Sequence, residues 1–307
     1  MEGVFWVEPL LKIGMIGLDT SHVSAFAKLL NDKTQEYHVP GGRIVVAYPG
    51  GSPDFELSWS RLPGFRKELE DNYSVSIAAS PEEVADQCDA VLLLSVDGRV
   101  HLQQLRAIAP FRKPVFVDKP FAVRWEDARD MATLGKEYGF SMMSCSALRY
   151  SEALTEALQD EEQGAVIGAD YYGPLDIQPT QPGFFWYGIH TAEMLFRTMG
   201  TGCHYVKTTT NEDHDQVVGV WADGRVGTIR GNRRGNKTFG GLIHREKNTQ
   251  FVNTSAFAKP YYASLLERVM AMFASGKPDI EIGETIEIIH FLEAANESRE
   301  TGMTVRL

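Results

Sequence analysis

The first half of the chain alternates short apolar runs with polar segments of helical periodicity. Six runs are typical of strands, at residues 12–16, 43–48, 75–79, 89–95, 113–120 and 140–145. The segments between them predict helices at residues 21–31, 61–72, 81–87, 100–108 and 125–138. Such βαβα alternation predicts an α/β fold with a parallel sheet covered by helices on both faces. A ligand is then expected at the carboxyl ends of the strands.

The pattern changes after residue 151. Residues 152–160 predict a helix, a long irregular piece with Gly and Pro follows, and residues 188–200 predict another helix. Asp223-Gly224 separates two alternating runs, which is a strong hairpin signal. Two final helices are predicted at residues 260–275 and 283–300. We expect a second α/β domain with an open, mainly antiparallel sheet over about residues 165–255.

A glycine turn follows the first predicted strand, in the stretch KIGMIGLDTSHVSAF. Gly17 ends the strand and a helix begins near Ser21, which is the context of the dinucleotide fingerprint G-x-G-x-x-G. Asp19 and His22 occupy the places of the second and third glycines. Either Asp19 caps the helix with its carboxylate, or it turns away and leaves the amides near Thr20 and Ser21 free for a diphosphate. We expect the turn to face a dinucleotide that is bound weakly or in an adjusted pose.

The end of the second predicted strand lacks the acid that usually binds the ribose hydroxyls, about 20 residues past the glycine turn. The loop begins Pro49-Gly50-Gly51-Ser52, and Ser52 with Arg61 offers only thin support for a 2′-phosphate. The choice between NAD and NADP stays open, with NAD slightly favoured. Residues 1–145 are thus predicted to form a Rossmann-like dinucleotide-binding domain.

Polar residues follow two neighbouring strands of this domain. One strand ends at Ser95 and Val96, a helix then starts with His101 in its first turn, and the next strand ends at Asp118-Lys119. This arrangement resembles the glucose-fructose oxidoreductase and inositol dehydrogenase (Gfo/Idh/MocA) family, in which a T-P-N-x-x-H turn is followed by E-K-P.

The resemblance extends over nearly the whole chain. Arg149-Tyr150 matches the family's R-F/Y after the sixth strand, and His190 with Glu193 matches its G-x-H-x-x-D. The last 35 residues also resemble the family's ending, with a glycine-lysine-proline turn, a long helix and a final strand. The resemblance implies that residues 146–307 bind substrate, form dimers through the open sheet and pack their C-terminal helices on the first domain.

The family's chemistry is hydride transfer between a nicotinamide and a sugar or polyol carbon. By resemblance, Lys119 would hydrogen-bond the reacting oxygen, and His190 would give or take its proton. The implied cofactor-binding residues are Gly17, Asp19, Thr20, Ser21, His22, Ser95, Val96, His101, Asp118, Lys119 and Arg149. The implied substrate-binding residues are Tyr150, Tyr172, Trp186, Tyr187 and His190. Trp186 stands where many family dehydrogenases have an acid, so no proton relay through a carboxylate operates there.

Composition narrows the classes of ligand. The net charge of −11 argues against a nucleic-acid partner, because phosphate binding needs a basic surface. The histidines show no metal-ligand spacing, and we expect no metal. Three separated cysteines are typical of a reducing cytoplasm, and the opening residues show no export or membrane-anchoring signal. A small carbohydrate-like substrate and a homodimer or homotetramer are expected.

Three hypotheses remain open on the sequence. The first is an NAD(P)-dependent oxidoreductase acting on a sugar, polyol or related hydroxy compound. The second is an enzyme of the same fold that uses a retained cofactor for a net non-redox elimination or hydrolysis. The third is a non-catalytic binding protein that has lost the dinucleotide. Asp19 and Trp186 favour the third, while Lys119, Arg149 and His190 favour the first two.

Overall fold

The computed structural model describes residues 10–307. The first nine residues of the predicted N-terminal domain lie outside the described residues, and so does most of the opening segment expected to lack an export signal. Between Leu10 and Leu307, no helix combines the length and the apolar character needed to cross a membrane.

The first sheet has six parallel strands in the order β3-β2-β1-β4-β5-β6. Its strands are β1 (Leu11–Ile16), β2 (Gly42–Tyr48), β3 (Ser76–Ile77), β4 (Ala90–Leu93), β5 (Val115–Val117) and β6 (Met142–Ser144). Its helices are α1 (His22–Asn31), α2 (Glu56–Trp59), α3 (Leu62–Tyr73), α4 (Pro81–Gln87), α5 (His101–Ile108) and α6 (Trp125–Tyr138). The strand order switches between β1 and β4: β2 and β3 lie on one side of β1, and β4 to β6 lie on the other. Ligands bind at such a switch point in sheets of this kind.

The prediction of a parallel, doubly covered sheet is confirmed. Every residue of β4 is buried, as expected for a central parallel strand with helices on both faces. In β1, a Cβ on Gly14 would lie 2.4 Å from Val84 of α4, so glycine permits the close approach of that helix. The strand predicted at residues 75–79 shortens to two residues at the sheet edge, and α2 was not predicted.

The second sheet has seven strands in the order β12-β11-β7-β10-β9-β8-β13. Its strands are β7 (Val166–Pro174), β8 (Cys203–Thr210), β9 (His214–Trp221), β10 (Val226–Asn232), β11 (Gly240–Arg245), β12 (Thr249–Asn253) and β13 (Val305–Arg306). The helices of this half are α7 (Glu152–Gln159), α8 (Gly188–Met199), α9 (Tyr261–Ser275) and α10 (Ile282–Thr301). β7 and β10 run parallel and the other neighbours run antiparallel, so the predicted open, mainly antiparallel sheet is confirmed.

Two details of the second sheet differ from the sequence interpretation. β7 lies in the stretch read as irregular, because Gly168, Gly173 and Pro174 obscure its alternation, yet it is a central strand. β13 is the final strand that the resemblance implied, but it pairs with β8 at the edge of this sheet, outside the expected span of about residues 165–255. The hairpin at Asp223-Gly224 is confirmed, with Gly224 at a φ of 88° between β9 and β10.

The helices of the second half bind the two sheets together. α8 and α10 cover one face of the second sheet, where Phe196 of α8 packs edge-on against Phe291 of α10. α9 instead contributes Leu266 and Val269 to the core that contains Phe26 of α1. The carboxyl ends of the first sheet therefore face residues delivered by the second half of the chain.

Candidate active site

The turn after β1 depends on Gly17. Its φ of 90° is unfavourable for residues with a side chain, and a Cβ there would lie 2.3 Å from the Ser95 amide nitrogen. The turn thus packs directly against the end of β4. The Ser95 hydroxyl lies 2.9 Å from Gln104 of α5, which holds the β4 end in place.

Asp19 does not cap α1, so the structure selects the second alternative, in which the carboxylate turns away from the helix. The N-cap position of α1 is Ser21, and no side chain caps it. The Asp19 carboxylate instead accepts hydrogen bonds from the Ser58 hydroxyl at 2.5 Å and from the Val96 amide at 2.9 Å. Burial raises the pKa of Asp19, although these two hydrogen bonds oppose the rise. The carboxylate is therefore turned away from the helix, towards β4.

Thr20 and His22 define the start of α1. The Thr20 hydroxyl lies 3.4 Å from the His22 amide, the long limit of a hydrogen bond. Among residues 10–307, no acceptor contacts the amides of Thr20 and Ser21. Unpaired amides at a helix N-terminus are suited to an anion.

Residues 49–61, here called the covering segment, lie across the strand ends between β2 and β4. A Cβ on Gly50 would come 3.4 Å from the Cα of Gly17, so the segment rests on the glycine turn. Phe55 is buried and packs with Val96 and with the edge of Trp186, whose ring centroid lies 5.4 Å away. The covering segment thus links the first sheet to the second half of the chain.

Asp97 connects the covering segment to both halves of the protein. It accepts hydrogen bonds from the Ser52 hydroxyl at 2.6 Å and from the Gln181 amide at 2.8 Å, and it pairs with Arg99 at 2.7 Å. Arg99 also holds Asp54 through two contacts of 2.9 Å. Burial would raise the pKa of Asp97, but the hydrogen bonds from Arg99, Ser52 and Gln181 outweigh it and lower the pKa to about 2. The sequence patterns gave no indication of Asp97 or Gln181.

Lys119 lies at the end of β5, beside the covering segment. Its ammonium nitrogen is 5.5 Å from the ring centroid of Trp186, a cation–π contact across the two halves of the chain. Burial lowers the pKa of Lys119, the Asp118 carboxylate opposes that shift, and the Arg61 charge adds to it. The structure therefore brings Lys119 and Trp186 together, as the resemblance implied.

The neighbouring Asp118 faces α1. A carboxylate oxygen of Asp118 lies 2.7 Å from Nδ1 of His22, and Nε2 of His22 lies 3.1 Å from the hydroxyl of Tyr262 on α9. Burial alone would raise the pKa of Asp118. The charge of His22 and its contact with the carboxylate have the larger effect, so the pKa is lowered. Sequence reasoning missed Tyr262, which stands almost 240 positions from His22 and shares no motif with it.

His190 lies in the first turn of α8. Its Nδ1 is 2.6 Å from the hydroxyl of Ser146, and its ring packs against the edges of Tyr187 and Phe239. Burial lowers the pKa of His190 well below its ordinary value, and the charges of Lys119 and His22 lower it further. His190 is thus a neutral imidazole within electrostatic range of Lys119.

Arg149 and Tyr150 do not point into this group of residues. Arg149 pairs with Glu193 at 3.2 Å and with Glu284 at 2.5 Å, the latter contact being too oblique for a hydrogen bond. The Tyr150 hydroxyl donates to Asp279 at 2.6 Å. These partners fix the buried Arg149 and Tyr150 side chains in the packing between the two halves, so we assign them structural roles instead of ligand contacts.

His101 and Tyr172 also take positions that the motifs did not specify. The ring nitrogens of His101 lie 2.7 Å from the Ser95 carbonyl and 3.1 Å from the Phe121 carbonyl, which ties the ends of β4 and β5 together. Tyr172 alternates with Tyr171 on β7, and Tyr171 faces α8 through Thr198. Tyr172 therefore projects from the open face of the sheet, and the structure does not bring it to Lys119.

No group of three or more His, Cys, Asp or Glu side chains suited to a metal occurs within residues 10–307. The chemistry available at the strand ends is consequently that of Lys119, the neutral His190, the Asp118–His22 pair and the aromatic rings around them. These groups can hold and move a proton on a bound hydroxyl or carbonyl oxygen.

Comparison with known families identifies the first half of the chain. Residues 11–144 match the Gfo/Idh/MocA family, which is described as an oxidoreductase family with an NAD-binding Rossmann fold. The match covers the six-stranded parallel sheet and the helices that pack on it. No curated protein sequence matches the chain significantly.

Solved structures share the fold of the chain over nearly its whole length. Myo-inositol 2-dehydrogenase from Lactobacillus plantarum is 14% identical with a TM-score of 0.81, covering 97% of this chain and 100% of that one. Scyllo-inositol dehydrogenase from Lactobacillus casei, solved with NAD(H) and scyllo-inositol, is 13% identical with a TM-score of 0.81, covering 97% and 99%. GenD2 from gentamicin A biosynthesis, solved with NAD, is 16% identical with a TM-score of 0.78, covering 100% and 99%.

The glycine turn after β1 fits a dinucleotide diphosphate. Gly17 leaves the turn without a side chain, the amides of Thr20 and Ser21 have no acceptor within residues 10–307, and Asp19 is turned away. The covering segment, however, occupies the crevice above the switch between β1 and β4, where dinucleotides lie in this class of sheet. Binding therefore requires that the covering segment shift.

Asp97→Ala should tighten dinucleotide binding, because it removes the contacts that hold the covering segment down. Each lost hydrogen bond contributes about 1 kcal/mol to the closed arrangement, so we expect about a three- to tenfold lower Kd for NADH. Fluorescence titration of NADH measures the change. Asp71→Ala is the matched control, because the Asp71 carboxylate is half exposed and pairs with Lys67 on α3. An unchanged or higher Kd for Asp97→Ala would show that the segment does not obstruct binding.

Proposed function

We propose that this protein is an NAD-dependent oxidoreductase that transfers hydride between the nicotinamide and a hydroxyl-bearing carbon of a sugar, polyol or related hydroxy compound. The observation that carries the proposal is the meeting of Lys119 from β5 with Trp186 and His190 from the second half of the chain. When bound, the nicotinamide supplies the hydride acceptor or donor. The family match of the first domain supports this reaction class.

Lys119 and His190 have different roles in the proton transfer. Lys119 hydrogen-bonds the reacting oxygen, and its lowered pKa suits it to take the hydroxyl proton during oxidation. His190, held by Ser146 and kept neutral by burial, accepts or donates a hydrogen bond at the same oxygen. Trp186 and Tyr187 supply flat apolar surfaces on which a sugar ring can stack. No carboxylate is required in the place of Trp186, because Lys119 is itself the proton acceptor.

NAD is the proposed cofactor over NADP. The Ser52 hydroxyl donates to Asp97, and the Arg61 Nε donates to the Leu57 carbonyl at 2.6 Å. The Ser52 hydroxyl is therefore not free in this arrangement to bind a 2′-phosphate, and the carboxylates of Asp54 and Asp97 would repel one. Titration of the protein with NAD, NADH, NADP and NADPH tests the choice. Reduction of the cofactor by sugars and polyols then tests the reaction, and absence of both binding and reduction would overturn the proposal.

The covering segment supports one competing proposal, a binding protein that has lost the dinucleotide. Phe55 and the Asp19–Ser58 hydrogen bond fill the crevice in the arrangement described above. The same titration decides between the two proposals. Failure of wild type, Asp97→Ala and Asp19→Gly to bind any nicotinamide dinucleotide at about millimolar concentration would favour the binding protein.

The proposed role of Lys119 predicts a specific pH dependence. Only the neutral amine accepts a proton, so kcat/KM for oxidation should rise with pH through the pKa of Lys119, below the ordinary lysine value. Asp118→Asn removes the negative charge that raises this pKa, so the ascending limb should move to lower pH. A pH–rate profile measures both. If the ascending limb of the pH–rate profile lies at the same pH in Asp118→Asn as in wild type, Lys119 is excluded as the titrating group.

We also propose that the protein works in the reducing cytoplasm, which its three free cysteines support, and that the open face of the second sheet forms a homodimer. Leu242 and Phe251 are directly paired on that face, and Phe251 is 63% exposed. Light scattering should give a dimer for wild type and a monomer for Leu242→Asp/Phe251→Asp, because two carboxylates would enter an apolar interface. A wild-type monomer at about micromolar concentration would contradict the interface.

A further inference from the structure

Arg61 is an unused cation at the edge of the proposed active site. It follows α2 at the end of the covering segment, and its Nε donates to the Leu57 carbonyl at 2.6 Å. That contact fixes the direction of the guanidinium. The Nη2 atom is buried, and within residues 10–307 it has no hydrogen-bond partner. A buried donor without an acceptor costs about 1–3 kcal/mol, so a ligand that supplies the acceptor would recover this free energy.

The nearby carboxylates do not neutralise Arg61. Asp19 is close enough to influence the guanidinium electrostatically, but its oxygens are engaged by Ser58 and Val96, and no ion pair with Arg61 forms in the described chain. Asp118 is engaged by His22. The donor of Arg61 therefore remains available for a group from outside the protein.

The surroundings of Arg61 belong to the reacting end of the site. Phe55 of the covering segment packs against Trp186, and the Lys119 ammonium lies over the same ring, so the segment that carries Arg61 contacts the surroundings of Lys119. The Arg61 charge also lowers the pKa of Lys119. Tyr187 packs against Trp186, with ring centroids 6.0 Å apart, and against His190, with ring centroids 5.8 Å apart. The guanidinium thus lies beside the aromatic rings proposed to hold a sugar. A neutral hydroxyl would satisfy its free donor, whereas an anion would satisfy the donor and also pair with the charge.

We propose that the substrate is a sugar acid whose carboxylate is bound by Arg61 beside Lys119. This rests on the proposed function, because it names the substrate class of the same site. The planar guanidinium is suited to a carboxylate, and a charge-assisted hydrogen bond of this kind is about twice as strong as one between neutral groups. Arg61 is then a specificity-determining residue that the covering segment carries into the site.

Calorimetric titration of the full-length protein with matched pairs of ligands tests the proposal. The pairs are D-glucuronate with D-glucose, D-galacturonate with D-galactose, and D-gluconate with D-glucitol, each differing by a carboxylate in place of a neutral group. In wild type, at least one acid should bind about tenfold or more tightly than its neutral partner. Arg61→Met should remove that preference, and Arg61→Lys should keep part of it because the charge remains. Arg66→Met, which removes a half-exposed arginine paired with Glu70, should leave the preference unchanged.

The outcomes separate this proposal from its alternatives. Equal affinities for acid and neutral partner in every pair, or no acid binding at about 10 mM, would overturn it. A loss of NAD affinity in Arg61→Met as large as the loss of acid affinity would also overturn it, because the anion would then be the cofactor's phosphate. Thermal unfolding of each variant checks folding, and Arg61→Lys supplies the comparison if Arg61→Met is unstable. An acid preference without any cofactor reduction would support Arg61 while refuting the oxidoreductase proposal.

Discussion

Replacing Lys119 with methionine is expected to lower turnover by about 10²–10⁴-fold while leaving the affinity for NAD nearly unchanged. The size follows from the loss of a positioned proton acceptor at the reacting oxygen. Methionine preserves the apolar stem that lies against Trp186, so the site should keep its shape. Steady-state kinetics with NAD and an active substrate measures the turnover, and fluorescence titration of NADH measures the affinity.

Lys136→Met is the matched control for this variant, because Lys136 is exposed on α6 and far from the strand ends. Its kinetics should equal those of wild type. A Lys119→Met protein that retains more than about a tenth of wild-type turnover would remove Lys119 from the proton chemistry. His190 would then be the remaining candidate, since it shares the same surroundings.

Arg149→Met should destabilise the protein by about 3–5 kcal/mol, because it leaves the buried Glu193 carboxylate and the partly buried Glu284 carboxylate without their cation. Glu193 and Glu284 both pair with Arg149 in the wild type. Burial raises the pKa of Glu193 to about 7, and Arg149 opposes that rise. The loss should therefore be smaller at about pH 5, where Glu193 is protonated, than at about pH 8, where its charge is unpaired. Urea denaturation at the two pH values measures the difference.

Arg106→Met controls for the loss of an ion pair in general. Arg106 and Asp130 are both more than half exposed, so the expected loss is below about 1 kcal/mol. Arg149→Met/Glu193→Gln should recover part of the stability, since one of the two unpaired charges is removed. Equal destabilisation by Arg149→Met and Arg106→Met would show that the buried triad contributes little.

The fold was predictable because its signals are local and repeated. Short apolar runs such as the fully buried β4 specify central parallel strands, and Gly17 and Gly224 mark turns with positive φ. β7 escaped prediction because glycine and proline interrupt its alternation, while its place in the sheet comes from pairing with β10 and β11. Strand pairing over such distances in sequence has no local signal.

The site was predictable only where a motif and a strand end coincide. Lys119 and His190 came from motifs, and the structure places them within electrostatic range. Asp97 and Gln181 stand 84 positions apart and meet directly through a hydrogen bond between the two halves of the chain, so no local pattern connects them. Arg149 shows the converse, because its motif implied a ligand contact while burial between two carboxylates gives it a structural role.

Deuterium transfer is the most direct test of the proposed hydride chemistry. Wild-type protein is incubated with NAD and with sugars, polyols and sugar acids deuterated at their hydroxyl-bearing carbons, and the nicotinamide is then analysed by mass spectrometry and NMR. Direct hydride transfer predicts deuterium at the reduced carbon of the nicotinamide, in amounts equal to the oxidised product, and far slower labelling with Lys119→Met. Product formed by elimination or hydrolysis with no net label on the nicotinamide, or no product from any compound, would contradict it.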